Sequence, residues 1–436
     1  MRVCKEPAYL YKPDKYNGDV MSEISKIRNC INIVKKENCC GCGACMNICE
    51  QKCISMKLDD EGFAYPQIDH SLCNNCGLCL EKCSMIHTIS NVNDRDLYCY
   101  AAYSKDEIKN LEGSAGGIFE LFCEVIGDMQ GIVYGVSLDN GFQVRHHRAS
   151  DLEEAKKFRK TKYLQSDTGD NFSLAQKDLE EGKTVLFSGT PCQIGGLYSF
   201  LGKDYPNLYT IDVFCHGVPS KRVFLKYLDA LEEKYNSNAI SICWKDKRDG
   251  WRPNKISVKF ENEKEVITNA FCNSMHIGFL EKLYLRPSCY NCKYAAIPRI
   301  ADISLGNFAE YDGKLYEQNQ NKGLTMIVVS NKKGTVLFNK IKKKIFPEKV
   351  GIDWCKKKAV RFSDATFCSK NRENFMRDLK NGADFFALIK KYMAKECDLL
   401  SLEEFITVNE GNKFNVFSLV QNTGSRGNII WERVSD

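Results

Sequence analysis

The sequence predicts an α/β protein in several parts: a small cysteine-bearing module near the amino end, a larger body of alternating strands and helices, and a mostly helical C-terminal extension. Three observations lead to this prediction. The chain has 436 residues, too many for one ordinary domain. Cysteines recur at regular spacing only near the amino end. Beyond residue 97, apolar segments typical of strands alternate with amphipathic segments typical of helices.

The predicted divisions follow these changes along the chain. We expect a lead-in at 1–36, the cysteine module at 37–90, two halves of the α/β body at 97–180 and 181–350, and the extension at 351–436. The lead-in carries isoleucines at helical spacing, which predicts a short helix at 22–34, and the polar stretch 91–96 predicts a linker.

The cysteine module carries two combs of identical spacing, C-x2-C-x2-C-x3-C. The first comb is Cys39, Cys42, Cys45 and Cys49, and the second comb is Cys73, Cys76, Cys79 and Cys83. This spacing is typical of bacterial ferredoxins, in which three close thiolates bind one 4Fe-4S cluster and the fourth reaches the other cluster. The sequence therefore predicts a bacterial-ferredoxin-like module with two 4Fe-4S clusters. One cluster is expected on Cys39, Cys42, Cys45 and Cys83, and the other on Cys73, Cys76, Cys79 and Cys49.

A zinc site or a disulfide framework is the alternative for these cysteines. Zinc sites usually use pairs of cysteines, and disulfides need an oxidising compartment. Gly41, Gly43 and Gly77 favour the clusters, because small residues let the backbone approach inorganic sulfur. Cys40 and Cys53 fall outside both combs and are predicted not to be ligands.

Composition narrows the class of protein. The 23 cysteines and the polar first 38 residues, which do not resemble a signal peptide, predict a reducing, cytoplasmic location. No stretch is apolar enough for a predicted membrane span. The 62 Lys and Arg residues only slightly exceed the 56 Asp and Glu residues. The sequence has no basic stripe with interleaved aromatic residues, so we do not expect it to bind nucleic acid.

Within the body, strands are predicted at 97–104, 184–187 and 208–213, and helices at 117–126, 194–201 and 222–234. Cys192 and Cys215 follow two of these strands at their carboxyl ends, the edge at which open α/β sheets bind ligands. The pair Cys289 and Cys292 lies on a predicted loop. After residue 351 the chain is Lys-rich and mostly helical, with a final strand predicted at 414–420.

Five motifs in the body occur in an informative order: SGTPCQ at 188–193, FCHGVPS at 214–220, KDKRDGW at 245–251, RPSCYNCKY at 286–294 and RIADISLG at 299–306. In this order they resemble the beta-subunit family of coenzyme F-420-reducing hydrogenases and dehydrogenases. The resemblance extends from about residue 98 to about 334. It implies a flavin and an iron–sulfur cluster within the body, and electron transfer between a partner and a small-molecule redox substrate.

The ligands that the resemblance implies for a third 4Fe-4S cluster are Cys192, Cys215, Cys289 and Cys292, which we call the inner set. The alternative is that Cys289 and Cys292 alone hold zinc or form a redox disulfide, with the other two thiols buried as small apolar groups.

The flavin, expected to be FAD, lacks a Gly-x-Gly-x-x-Gly fingerprint in this sequence. Three other segments, 114–117, 160–166 and 188–190, have small residues before a helix or a nearby lysine, which suits a phosphate, although plain helix caps have the same composition. The residues predicted to bind it are Ser114, Gly116, Gly117, Lys162, Tyr163, Ser166, Gly189 and Thr190.

Two further features bear on catalysis. His216, beside Cys215, is a candidate proton donor, or else a core histidine. The charge run 245–248 is either an ordinary solvated turn or part of the path of an anionic substrate. The stretch 307–310 departs from the family motif, which leaves the substrate undefined.

The leading hypothesis is an iron–sulfur flavoprotein oxidoreductase that couples one-electron transfer through 4Fe-4S clusters to two-electron or hydride chemistry at a flavin. Its expected partners are a soluble electron carrier such as ferredoxin, or a partner redox subunit, together with a small-molecule substrate. One alternative is an electron-transfer subunit without substrate chemistry of its own. Another is a cluster-bearing scaffold protein.

Overall fold

The computed structural model describes residues 30, 31, 34–87, 97–309, 311, 313–358 and 363–392, together with the backbone at 417–421 and 429–433. Most of the predicted helix at 22–34, the predicted linker at 91–96 and Glu310 of the altered motif lie outside these residues. None of the helices in the described ranges has both the length and the hydropathy that crossing a membrane requires.

Fifteen strands run through the described residues. They are β1 (Ile54–Leu58), β2 (Ala64–Ile68), β3 (Tyr98–Ser104), β4 (Ile132–Asp139), β5 (Gln143–Ala149), β6 (Val185–Gly189), β7 (Leu208–Val213), β8 (Ala239–Asp246), β9 (Lys255–Phe260), β10 (Glu265–Asn269), β11 (Ile303–Asn307), β12 (Thr325–Val329), β13 (Ile345–Val350), β14 (Phe417–Gln421) and β15 (Ile429–Arg433).

The same residues contain fourteen α-helices. They are α1 (Ala44–Asn47), α2 (Leu78–Glu81), α3 (Glu107–Glu112), α4 (Ile118–Asp128), α5 (Leu152–Lys156), α6 (Asn171–Glu180), α7 (Pro191–Leu201), α8 (Lys221–Tyr235), α9 (Ser274–Leu280), α10 (Lys314–Gln318), α11 (Lys332–Ile341), α12 (Ile352–Lys358), α13 (Arg372–Lys380) and α14 (Phe385–Tyr392). Short 3-10 helices lie at Lys36–Asn38, Asn140–Phe142, Pro287–Asn291 and Lys342–Lys344.

The central sheet has eight strands in the order β13-β3-β12-β11-β7-β6-β4-β5. Its middle strands β11, β7, β6 and β4 are parallel, and the remaining neighbours are antiparallel. The predicted α/β class is thereby confirmed. Because β6 and β7 are parallel neighbours, the segments that follow them start at the same edge of the sheet.

Strand β6 shows how alternation builds the two faces of this sheet. Leu186 packs in one apolar cluster with Phe122 of α4 and Phe338 of α11. Phe187 faces the opposite way and packs in a second cluster with Phe172 of α6 and Ile194 of α7. The sheet is therefore covered on both faces, as buried parallel strands require.

A second layer is built on the three-stranded antiparallel sheet β10-β9-β8. Phe224 of α8, Val258 of β9, Phe375 of α13 and Leu388 of α14 share one buried cluster. The helices of the predicted extension thus pack into the same core as the body. The predicted final strand corresponds to β14, which pairs with β15.

The cysteine module is small and docks on the body through several contacts, of which two involve its first helix and its hairpin turn. Its core contains Ile31, Ile54 and the thiols of Cys45 and Cys79, and its hairpin pairs β1 with β2. Helix α1 packs on α7. The hairpin turn packs against α8 and α13, where the carbonyl and carboxylate of Glu61 accept hydrogen bonds from the Ser220 hydroxyl and the Arg372 guanidinium.

Candidate redox site

Each comb contains the same local turn. Gly43 and Gly77 adopt left-handed backbone conformations, with φ of 82° and 78°, and each begins a one-turn helix that carries the third cysteine of its comb. Glycine is required at position 43 for a second reason, since a Cβ there would lie 2.3 Å from the Thr168 Oγ1 of the body. The repeated turn gives the two combs matching backbone shapes.

The thiols of the module fall into two groups. Burial, followed by the charges of Cys42, Cys39 and Cys83, raises the pKa of Cys45. Burial and the charges of Cys76, Cys49 and Cys73 raise the pKa of Cys79. Cys79, from the other predicted ligand set, also raises the pKa of Cys45. Apart from Cys79, these neighbours are the cysteines that spacing groups together, with the fourth cysteine of each comb crossing to the other set.

The inner set forms a third group. Burial and the charges of Cys289, Cys192 and Cys292 raise the pKa of Cys215. The backbone N–H groups of Gly217 and Val218 lie 3.4 Å from the sulfurs of Cys215 and Cys289, respectively. The edge shared by β6 and β7 therefore brings Cys192 and Cys215 near the loop pair 289 and 292.

The donor chemistry of the three groups fits iron–sulfur clusters, because each offers soft sulfur ligands among small residues and backbone N–H donors. In the described part of the chain, however, no group of three or more His, Cys, Asp or Glu side chains has the geometry of a metal site. The ligand assignments therefore stay predictions.

Two cysteines outside the combs lie against comb thiols. Cys53 Sγ is 3.2 Å from Cys49 Sγ, and Cys30 Sγ is 3.7 Å from Cys73 Sγ. Cys30 also hydrogen-bonds to the Asn75 side chain. No spacing rule would have selected Cys30, because it reaches the second comb only through the fold of the module.

Cys40 links the first comb to the inner set. Cys40 and Cys42 share one buried cluster, and Cys192 packs against it. The neighbouring thiols of Cys192 and Cys42, together with burial, raise the pKa of Cys40. The neighbouring Cys40 thiol lowers the pKa of Cys192. Cys42 also contacts α7 directly, since a Cβ built at Gly196 would lie 2.8 Å from Cys42 Sγ. The first comb and the inner set are therefore in contact through thiols.

Arg286 lies at this junction and was not assigned a role from the sequence. Its guanidinium donates to the carbonyl oxygens of Cys39 and Ala64, both at 2.8 Å, and to Gln165 Oε1 at 3.0 Å. Nη2 is also 3.8 Å from Cys39 Sγ. Its position at the start of the motif 286–294 was the one signal that could have found it.

A second buried arginine, Arg299, is paired with a carboxylate. Its Nη2 donates to Asp212 Oδ1 at 3.2 Å, and both side chains are buried. Burial raises the pKa of Asp212, and the Arg299 charge opposes this shift. The pair joins the end of β7 to the motif 299–306.

The first predicted phosphate segment, 114–117, is used for packing. The Gly116 N–H donates to Thr325 Oγ1 at 2.8 Å, and the Ser114 hydroxyl accepts from Thr161 Oγ1 at 2.9 Å. Gly117 is the left-handed cap of α4, and a Cβ there would lie 2.4 Å from the Lys109 carbonyl oxygen. The N–H of Gly116 is thus occupied by Thr325 in this conformation.

Lys162, predicted to add a point charge beside a phosphate, is buried. Its Nζ donates to the carbonyl oxygens of Val136 and Arg159, both at 2.7 Å. Burial lowers its pKa to about 7. In this conformation the Lys162 ammonium group donates to backbone carbonyls, so it is not available to bind a phosphate as expected.

The third segment, 188–190, leads into α7 earlier than predicted. The helix begins at Pro191 rather than Ile194, because Thr190 and Gln193 form a capping box with proline at the first position. The Gln193 amide oxygen accepts from the Thr190 N–H at 3.0 Å, and its nitrogen donates to Ser166 Oγ at 3.0 Å. Gly189 lies beside this side chain and beside His146.

Tyr163, which follows Lys162 in the second segment, lines a small aromatic cavity. Its ring packs edge-on against Trp244, His276 and Phe279, with centroids 5.3 to 6.4 Å apart. His216 borders the same cavity, with its ring 6.4 Å from Phe279. Burial and the charges of Lys245 and His216 lower the pKa of His276 to about 4. The candidate proton donor therefore lies between the inner set and this cavity.

The charge run 245–248 is not a solvated turn, which corrects one of the two interpretations of it. Lys245, Asp246 and Lys247 are buried on or just after β8. Lys247 Nζ donates to the carbonyl oxygens of Ala115 and Lys322, both at 2.6 Å. Burial lowers its pKa to about 7. This lysine ties the segment 114–117 to the rest of the body.

His146 is a buried site residue that the sequence did not indicate. Its Nε2 donates to the Ser188 carbonyl oxygen at 2.9 Å, and its Nδ1 has no hydrogen-bond partner among the described residues. Burial lowers its pKa to about 4. The ring is therefore neutral and stacks on Phe187 at the end of β6.

Comparison with known proteins finds a match to the part of the chain that contains the inner set. Residues 182–354 match the family model that describes the C terminus of the coenzyme F420 hydrogenase/dehydrogenase beta subunit. A chain of the F420-reducing NiFe hydrogenase complex from Methanosarcina barkeri, solved as a xenon derivative, shares 18% identity and has a TM-score of 0.41. That similarity covers 67% of this chain and 89% of the hydrogenase chain. No curated protein matches this chain.

The fold and the matched segment together define an α/β protein related to redox enzymes. The match supports the family resemblance over 182–354, a range that contains all four cysteines of the inner set. The combs and residues 97–181 lie outside that match.

Proposed function

We propose that this chain is an iron–sulfur flavoprotein oxidoreductase that couples one-electron transfer to two-electron or hydride chemistry. One observation carries the proposal: Cys40 and Cys42 lie in one buried cluster against which Cys192 packs, so the first comb meets the inner set there. Two ligand sets in contact through a thiol suit electron transfer, whereas two separate structural metal sites would not need this contact.

The arrangement of the three thiol groups supports the entry of electrons at the surface and their transfer towards the interior. Cys76 of the second comb is exposed. Cys45 and Cys79 share the core of the module, and Cys42 is buried against α7. The second comb is thus the proposed contact point for a soluble electron carrier such as ferredoxin, or for a partner redox subunit.

When bound, clusters would move single electrons, and a flavin such as FAD would convert between one-electron and two-electron steps. The residues proposed to hold the flavin are those of the segments 114–117, 162–166 and 189–190. His216 is the proposed proton donor to a small-molecule redox substrate. The substrate of the matched family, coenzyme F420, is one candidate for that molecule. A reducing cytoplasm is the proposed location.

A second candidate function is electron relay to a separate enzyme without substrate chemistry in this chain. The internal bonds of Gly116, Lys162 and Thr190 favour it, because these donors are not available to a phosphate in this conformation. Flavin binding separates the two candidates.

Anaerobic purification followed by iron, sulfide and flavin analysis tests both candidates. The oxidoreductase should contain about twelve iron atoms, four for each of three clusters, and about one flavin per chain. The same iron content without flavin, and no binding of added FAD or FMN, would favour the relay. Colourless protein without labile sulfide would contradict both.

A further inference from the structure

Arg286 is a buried cation whose charge is not paired with any carboxylate in the part of the chain that the structure describes. Its side chain is fully buried, and its hydrogen bonds go to two backbone carbonyls and one amide oxygen. The other buried arginines differ in this respect: Arg299 pairs with Asp212, and Arg372 pairs with Glu61. A buried charge without a counter-charge is unfavourable, so the partner of Arg286 has to be sought among its other neighbours.

The neighbours that carry negative charge when ionised are thiols. Cys39 Sγ lies 3.8 Å from Nη2. Cys39, Tyr65, Cys40 and Cys289 each favour the charged form of Arg286, whose pKa is raised in spite of burial. The guanidinium also lies over the Tyr65 ring, 4.4 Å from its centroid. The charge of Arg286 thus lies against Cys39 of the first comb, and it interacts electrostatically with Cys289 of the inner set.

The backbone of the first comb makes room for this guanidinium. Gly41 has φ of +68°, and a Cβ at that position would lie 2.7 Å from Arg286 Nη1. A side chain at position 41 would therefore displace the guanidinium from Cys39. Gly41 and Arg286 thus form a close contact between the module and the body. Gly41 immediately precedes Cys42, and Arg286 lies three residues before Cys289.

We infer that Arg286 is the counter-charge for the first comb and the inner set, and that it raises the reduction potential of a cluster bound at either. This inference rests on the proposed function. The physical reason is that reduction adds negative charge, which a nearby cation in a buried site stabilises. Net charge and hydrogen bonds at the sulfurs are among the properties that set cluster potentials. Arg286 is in this sense a positioning residue, because it acts on the ligands.

The test compares reduction potentials of the anaerobic, cluster-loaded protein by dye-mediated titration with electron paramagnetic resonance detection. At the potential where half of the wild-type first-comb cluster is reduced, Arg286→Met should show about a tenfold lower ratio of reduced to oxidised cluster, equivalent to about 59 mV for one electron. Arg286→Lys keeps the charge and should shift less.

Arg372→Met is the matched control. Arg372 is also a buried arginine between the module and the body, but its charge pairs with Glu61 rather than with thiols. The cluster reduction potentials of the Arg372→Met variant should equal those of the wild type. The inference is overturned if Arg286→Met keeps its iron and titrates like the control, or if Arg286→Lys shifts as far as Arg286→Met.

If Arg286→Met loses iron, Arg286→Gln is titrated by the same criterion, since it retains a donor for the Cys39 carbonyl. Failure of the inference is distinct from failure of the proposed function. Wild-type protein without iron and sulfide would contradict the proposed function, whereas iron-replete variants with unchanged potentials would contradict the role of Arg286 alone.

Discussion

Gly196 of α7 lies directly against Cys42 of the first comb. A Cβ built on this glycine would come within 2.8 Å of both the Cβ and the Sγ of the cysteine. Such an approach is possible only without a side chain at position 196, so the helix that starts after β6 is shaped to receive the module.

The space around two helical glycines, Gly196 and Gly127, predicts opposite effects of glycine-to-alanine changes on stability. Gly127→Ala in α4, where a Cβ would meet nothing within 4 Å, should raise the free energy of unfolding by about 0.5 to 1 kcal/mol through helix propensity. Gly196→Ala should lower it by about 1 to 3 kcal/mol through overpacking. Anaerobic denaturant titrations measure both. Equal stabilities of the two variants would contradict the contact.

Replacement of Cys42 tests the first comb. Cys42→Ala should remove about four iron atoms per chain, because one ligand of one cluster is lost, while any flavin stays bound. Cys53→Ala is the control, since Cys53 lies in the same module outside the combs. Iron and sulfide analysis provides the measurement. An unchanged iron content in Cys42→Ala would exclude this thiol as a ligand.

Replacement of Cys289 tests the inner set in the same way. Cys289→Ser should lose the inner cluster and leave the signals of the two comb clusters in place. Cys368→Ser, at an exposed cysteine, should lose nothing. Metal analysis decides between the interpretations: if zinc rather than iron disappears from Cys289→Ser, the inner set is a zinc site and the proposed electron transfer from the first comb is wrong.

The sequence predicted some elements because their signals are local. Strands β3 and β7 appear as apolar runs between breakers, and the structure confirms both. The beginning of α7 was placed too late, although Thr190, Pro191 and Gln193 carried the capping signal. The grouping of the comb cysteines into two ligand sets rests on spacing and stays a prediction, since the order of cysteines in a comb restricts which of them can meet.

Other features depend on distant partners and had no local signal. The charge run 245–248 looked solvated because the carbonyls that bind Lys247 come from Ala115 and Lys322, far away in the chain. The contacts of Cys40 and Arg286 exist only once the module has docked on the body. A charged or polar residue inside a core is predictable only when its partners are known.

The buried histidine at position 146 predicts a dependence of stability on pH. Its pKa in the folded protein, about 4, lies below the ordinary value of 6.5, so the unfolded chain binds the proton more tightly. Stability from this group is complete above about pH 6.5 and is lost as pH falls towards 4, by about 3 kcal/mol in total.

His146→Gln should therefore flatten the rise of unfolding free energy between pH 4 and 6.5, because glutamine can still donate to the Ser188 carbonyl but does not titrate. Denaturant titrations at several pH values measure the slope. His276, whose pKa is also lowered to about 4, should supply what slope remains. An unchanged slope in His146→Gln would contradict the neutral, buried ring.

The bond between Glu61 and Arg372 has a consequence for how the protein is made. The two residues are 311 positions apart in the chain, so the ribosome releases the arginine long after the amino-terminal module has emerged. During that interval the hairpin turn lacks its clamp, whereas α7 is already made and can meet the first comb. We therefore expect the module to dock on α7 first, with the late-made helix α13 acting as the latch.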